Sequence, residues 1–130
     1  MQTVYYVNEK QEIAYWTNGA GWQQSVLGGT VAKGTSPTAI AIGSNQYVYY
    51  VNPSGEIATW ALSAGKWVGP TTLGGKAASG TSPTVIRDSN NYQYIYYVNS
   101  ANEIARWVYT VKWEGPNTIG GNVAKTATWR

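Results

Sequence analysis

Tyr49-Tyr50-Val51-Asn52-Pro53-Ser54-Gly55-Glu56-Ile57-Ala58-Thr59-Trp60 decides how the chain folds, because it occurs three times. Tyr5-Tyr6-Val7-Asn8 leads through three residues to Glu12-Ile13-Ala14-Tyr15-Trp16, and Tyr96-Tyr97-Val98-Asn99 leads through three to Glu103-Ile104-Ala105-Arg106-Trp107. Successive copies are offset by 44 and then 47 residues, a period typical of stacked supersecondary units. Each copy reads as a hairpin. A short run rich in β-branched and aromatic residues meets a polar turn headed by Asn8, Asn52 or Asn99, and a second such run follows.

Working outward, each hairpin is followed by a turn and a tryptophan (Trp22, Trp67, Trp113) that opens a third strand. That strand ends at Leu27-Gly28-Gly29, Leu73-Gly74-Gly75 or Ile119-Gly120-Gly121, where paired glycines permit a sharp change of direction. A fourth strand appears twice, from Ser36-Pro37-Thr38 and Ser82-Pro83-Thr84, with proline tolerated at a strand's start. The third copy stops short of this strand and the first copy lacks it. The chain is therefore expected to be one domain, 1–130, of three four-stranded units in permuted register. The sequence repeats run over 4–47, 48–94 and 95–130, and Ala127-Thr128-Trp129-Arg130 is available to complete the first unit of this chain or of a neighbour.

No segment has sustained helical periodicity, so the fold class is all-β. Four-stranded repeats of about 45 residues are the unit of the β-propeller, which usually needs at least four blades to close. Three blades alone would expose two apolar faces, so a homo-oligomer is expected, with a dimer of six blades favoured. The alternative is a β-trefoil, which uses three repeats of similar size and closes by itself.

Composition narrows the function. Charged residues make up 12% of the chain and the net charge of +3 comes from scattered Lys and Arg, which disfavours nucleic acid as a partner. There is no run long and apolar enough for membrane insertion, so a soluble protein is expected, cytoplasmic or secreted. With neither Cys nor His, thiolate chemistry, the commonest general base and the commonest metal ligands are gone. Asp88 is the only Asp, and Glu12, Glu56 and Glu103 recur one per unit, farther apart than the ~5–10 Å of paired glycosidase carboxylates. No enzyme, no metal site and no cofactor are expected.

The repeated aromatics carry the functional signal. One set is Trp16, Trp60 and Trp107; the other is Trp22, Trp67 and Trp113. A flat ring flanked by polar groups suits the C–H face of a pyranose, and both sets are candidates for glycan contact. The first set, lying inside a strand, can equally be core, whereas the second follows a turn and belongs near a blade edge. Tyr15, Thr59 and Arg106 share one position yet differ, as expected if the sites are unequal.

In order and spacing, Val48-Tyr49-Tyr50, Gly55-Glu56-Ile57, Lys66-Trp67, Leu73-Gly74-Gly75 and Ser82-Pro83-Thr84 resemble the repeats of fungal and bacterial propeller lectins. These include the six-bladed fucose-binding type from Aleuria and the seven-bladed type from Photorhabdus. The resemblance implies sugar sites between adjacent blades and short chains that assemble into a ring. It also marks departures. The Aleuria type carries Arg where this chain has Thr3, Tyr47 and Tyr94, and Glu where it has Tyr15, Thr59 and Arg106, so only Trp22, Trp67 and Trp113 carry across. The expected function is a multivalent lectin with shallow, aromatic-lined sites between blades. The alternative is a structural or assembly protein, a fragment or engineered form of a larger propeller, without intact sites.

Overall fold

A computed structural model describes residues 2–124. It contains eleven antiparallel strands in three sheets. The first sheet holds β1 (Thr3–Val7), β2 (Ile13–Thr17) and β3 (Gln23–Gly28). The second holds β4 (Thr38–Ile42), β5 (Asn45–Val51), β6 (Ile57–Ser63) and β7 (Lys66–Gly74). The third holds β8 (Thr84–Arg87), β9 (Gln93–Val98), β10 (Ile104–Tyr109) and β11 (Trp113–Gly120). Within each sheet the strands follow one another in chain order. The expected four strands per unit are present in the second and third blades. The first blade has three among the described residues, and the proposed closing segment 127–130 lies outside them.

The hairpin turns form by side-chain capture of the backbone. The Asn8 carboxamide oxygen accepts N–H groups of Lys10 and Glu12 at 3.0 and 2.9 Å, and Asn52 and Asn99 repeat the pattern with Ser54 and Glu56, and with Ala101 and Glu103. This satisfies donors that the turn would otherwise leave open. Gln11, Gly55 and Asn102 then sit at φ of 62°, 81° and 62°. All three copies thus share one backbone, although only the second uses the residue that adopts it without steric cost.

Period-two alternation gives every sheet two apolar faces. Tyr49, Val51 and Ile57 point at the third blade, packing on Val85, Ile95, Tyr97, Ala105 and Trp107. Val48, Tyr50 and Ala58 point at the first blade, packing on Ile13 and Val31. The sheets therefore stack face to face with separate cores between them, and the inner strands β4 and β8 touch. This is the blade arrangement of a propeller. A trefoil, in which the repeats share one barrel, is overturned by the three independent sheets.

The two outer flanks repeat the same sequence positions without a neighbour. Val48 is fully buried while its counterpart Val4 is 53% exposed, and Trp107 is 8% exposed while Trp16 is 42% exposed. On the opposite flank Ile119, the counterpart of the packed Leu27 and Leu73, is exposed.

Candidate functional site

Strand register sets the floor of a crevice between the second and third blades. Tyr49 pairs with Thr59 and Thr59 with Thr71, while Tyr47 pairs with Ala61, so all five side chains lie on the face turned to the third blade. Opposite them, Tyr109 pairs with both Gln93 and Trp113, placing a second row across the facing sheet. The two rows enclose about 230 Å³, less than the ~300–1,000 Å³ of pockets for drug-sized ligands and suited to a single sugar ring.

Trp113 is half-buried and held from three sides. Its ring centroid is 4.9 Å from that of Tyr109, 5.8 Å from Tyr49 and 6.5 Å from Trp107, the last two edge-on. Edge contacts of this kind fix a ring's plane. Gln93, almost fully buried, accepts a hydrogen bond from the Tyr49 hydroxyl and ties the two blades together at the crevice's inner end. Burial, and secondarily neighbouring Tyr47, pushes the Tyr49 phenol well above its ordinary range, so it stays a neutral donor.

The corresponding crevice between the first and second blades is filled on its Trp67 side, and a space of about 210 Å³ remains beside Thr3, Tyr5, Ile40 and Gln46. Tyr15, at the position of Thr59, lays its ring 6.0 Å from Trp67 and 5.6 Å from Tyr5, and Tyr5 meets Trp67 edge-on at 6.2 Å. An aromatic ring thus occupies the space that Thr59 leaves open one blade further on. The third copy of the position, Arg106, faces the outer flank of the third blade, its guanidinium carbon 5.8 Å from the Tyr94 ring centroid. Trp22 lies on the other outer flank and is 54% exposed.

The structure therefore brings together Thr59 and Trp113, but separates Arg106 and Trp22 onto opposite ends of the chain. The other tryptophan set, which the sequence left open between core and ligand contact, takes a packing role at two of its three positions. Trp60 and Trp107 lie in the same junctions as the crevices but pack on the glycine pairs of the preceding blade instead of lining the open space. The Trp107 indole N–H donates to the Gly74 carbonyl at 3.3 Å, and the Trp60 indole lies where side chains at Gly28 and Gly29 would stand. Trp16, their counterpart, presents its ring on the outer flank.

Sequence reasoning did not single out Gln93, although a signal existed: Gln2, Gln46 and Gln93 each precede the first repeated Tyr by three residues. Tyr109 has no aromatic counterpart, so no repeat could reveal it. A larger cavity of about 580 Å³ opens among the turns and connectors near Gln11, Lys33, Pro53 and Ser79. No aromatic side chain lines it, and it lacks the chemistry of a sugar platform. Among the described residues no group of three His, Cys, Asp or Glu could hold a metal ion, and no helix is long and apolar enough to cross a membrane.

Comparison with solved structures places this architecture. A fucose lectin from Kordia zhangzhouensis, solved with methyl-fucoside, aligns with a TM-score of 0.67 at 18% identity, over 89% of this chain and 90% of that one. The six-bladed Aleuria aurantia lectin aligns with a TM-score of 0.74 at 25% identity, over 93% of this chain and 43% of its own. A lectin from Burkholderia pseudomallei reaches 0.77 at 18% identity, over 92% and 38%. The chain has the fold of the propeller lectins. It spans under half the length of the Aleuria and Burkholderia chains. No family model matches its sequence, and no curated protein does.

Proposed function

We propose that the protein is a lectin, a non-enzymatic carbohydrate-binding protein that works as a closed ring of two copies. The observation that carries this reading is the crevice in which Trp113 of one blade faces Thr59 and Tyr47 of the next across a space of single-ring size. Trp113 supplies the stacking surface, and Thr59, Thr71 and Gln93 supply hydroxyl and amide groups that fix a sugar's orientation. Solved relatives of the same fold are fucose lectins. In this crevice neither an Arg nor a Glu stands at Tyr47 and Thr59, so the ligand is a neutral sugar held without ion pairs.

A ring of two copies follows from the flanks. Each internal junction places one blade's Trp and second Tyr on the preceding blade's glycine pair: Tyr50 and Trp60 on Gly29, Tyr97 and Trp107 on Gly74 and Gly75. Tyr6 and Trp16 on one outer flank, and Gly120 and Gly121 on the other, are the two halves of a further such junction. A second copy completes both, giving six blades with two-fold symmetry. Repeated weak sites then gain strength through effective concentration. The assembly-protein alternative draws on the filled Tyr15 crevice alone, which accounts for one junction of the three.

The test is a titration of neutral methyl glycosides (fucoside, galactoside, glucoside and mannoside) with the assembled protein and with Trp113→Ala. Binding of at least one glycoside, weakened about tenfold or more by the substitution, supports the reading. Correctly assembled protein that binds none of them refutes it.

A further inference from the structure

The crevice that forms where two copies meet differs in chemistry from the one inside the chain. Its floor is set by the same register as the internal crevice. Tyr94 stands where Tyr47 does, Tyr96 for Tyr49, Arg106 for Thr59, Val108 for Ala61 and Asn117 for Thr71, with Arg106 paired to Tyr96 and Asn117 and Tyr94 to Val108. The opposite wall comes from the first blade of the other copy, where Gln2 and Trp22 occupy the positions of Gln93 and Trp113. Trp22 already projects into open space, and the Gln2 backbone N–H is anchored to the Asn18 side-chain oxygen at 2.6 Å.

Arg106 gives this crevice a positive charge that the internal one lacks. Its guanidinium rests on the Tyr94 ring, a contact that orients the planar group without neutralising it. Its Nε is buried and, among the described residues, has no hydrogen-bond acceptor. The nearby carboxylate, Asp88, is already engaged: Oδ2 accepts the Tyr94 hydroxyl at 2.7 Å, while Oδ1 accepts the N–H groups of Asn90 and Tyr92 at 2.9 and 3.1 Å. Asp88 thereby fixes the Tyr94 ring beneath Arg106. The result is a planar, preoriented guanidinium facing a position reserved for an indole, the pairing that suits a ring bearing a carboxylate.

We propose that the junction between copies is a binding site for an acidic pyranose, a uronic acid residue of a glycan. Arg106 of one copy would grip the carboxylate and Trp22 of the partner subunit would stack on the ring. The inference rests on the lectin and two-copy readings above, and its site does not exist in a single chain.

Titration with the methyl glycosides of glucuronic and galacturonic acid, beside the neutral glucoside and galactoside, tests it. At least one uronide is expected to bind with one site per chain and to weaken with salt. Arg106→Thr and Trp22→Ala should each reduce uronide affinity tenfold or more and leave neutral-sugar binding at the Trp113 crevice intact. Co-refolding the two variants gives the decisive result, since a mixed pair has one junction with both residues and one with neither. Each mixed pair should regain one of its two uronide sites, about a quarter of the wild-type number in an unsorted equimolar refold. Uronide binding that survives Arg106→Thr, or no restoration in mixed pairs shown by mass to have formed, overturns the shared site. No uronide binding beside intact, Trp113-dependent neutral binding overturns it while leaving the lectin reading standing. Absence of both kinds of binding overturns the two together.

Discussion

Tyr49 in the second blade donates its hydroxyl hydrogen to the side-chain oxygen of Gln93 in the third, and Tyr5 in the first blade does the same to Gln46 in the second. Each blade is thus latched to the next by one phenol and one carboxamide at fixed positions. Tyr96 and Gln2 hold the same positions at the two ends of the chain, so the latch should recur between copies. Tyr96→Phe and Gln2→Ala are each expected to weaken the dimer by about 2 kcal/mol, the net worth of one typical hydrogen bond at each of its two junctions. Sedimentation equilibrium across a dilution series reads this directly. An unchanged dimer constant in both variants would rule out the latch.

Tyr15 offers a gain-of-function test. Its ring fills the Trp67 side of the first crevice, against Trp67 and Tyr5, where Thr59 leaves the second open. Tyr15→Thr should vacate that space and raise the count of neutral-sugar sites per chain by one, with Trp67 as the new platform. Titration stoichiometry distinguishes the outcomes, and an unchanged count would mean that the Thr59 crevice owes its opening to something else.

Close packing on the glycine pairs predicts a graded stability effect. A Cβ at Gly29 would stand 2.7 Å from the Tyr50 hydroxyl and 3.3 Å from the Trp60 indole nitrogen, at a φ of 73°. At Gly34, with φ of 78°, it would meet nothing within 4 Å. Gly34→Ala should therefore cost only the left-handed backbone penalty, roughly 1–2 kcal/mol. Gly29→Ala adds a steric conflict between blades and should cost about 1–3 kcal/mol more, in the manner of an overpacked core. Urea midpoints of the two variants give the comparison.

Alkaline pH should destabilise the fold. Burial raises the phenols of Tyr5, Tyr49, Tyr50 and Tyr97 above their ordinary value of 10.0. Below that value the tyrosines are neutral in both states, so stability is independent of their titration. Above it the unfolded chain loses protons that the folded chain retains, and stability falls as pH rises toward the folded-state values. Urea midpoints should accordingly hold steady from neutral pH to about 9 and decline beyond 10. Tyr49→Phe, which removes one of these groups, should make the decline shallower.

Much of this architecture was legible in the sequence because each unit is written with the same punctuation. Asn8, Asn52 and Asn99 mark the turns, and the glycine pairs after Leu27, Leu73 and Ile119 mark where each blade ends. The trefoil alternative persisted because a repeat period near 45 residues says nothing about whether sheets stack or merge. That is settled by which face of each strand meets which neighbour. The same gap explains the tryptophans. Trp60 and Thr59 are adjacent in the chain, yet pleating turns one toward the first blade and the other toward the third. Residue type and spacing marked both repeated aromatic sets and left the in-strand one open to packing, while the stacking puts Trp60 and Trp107 on the glycine pairs and brings Trp113 to the crevice.

The two ends of the array are opposites. One offers projecting indoles at Trp16 and Trp22, and the other offers bare backbone at Gly120 and Gly121, so like ends have nothing to say to each other. In the two-copy ring proposed above, joining would be directional, plug into socket. On that reading, two copies fused in tandem would already carry matching ends and could close into a one-piece ring without a redesigned surface.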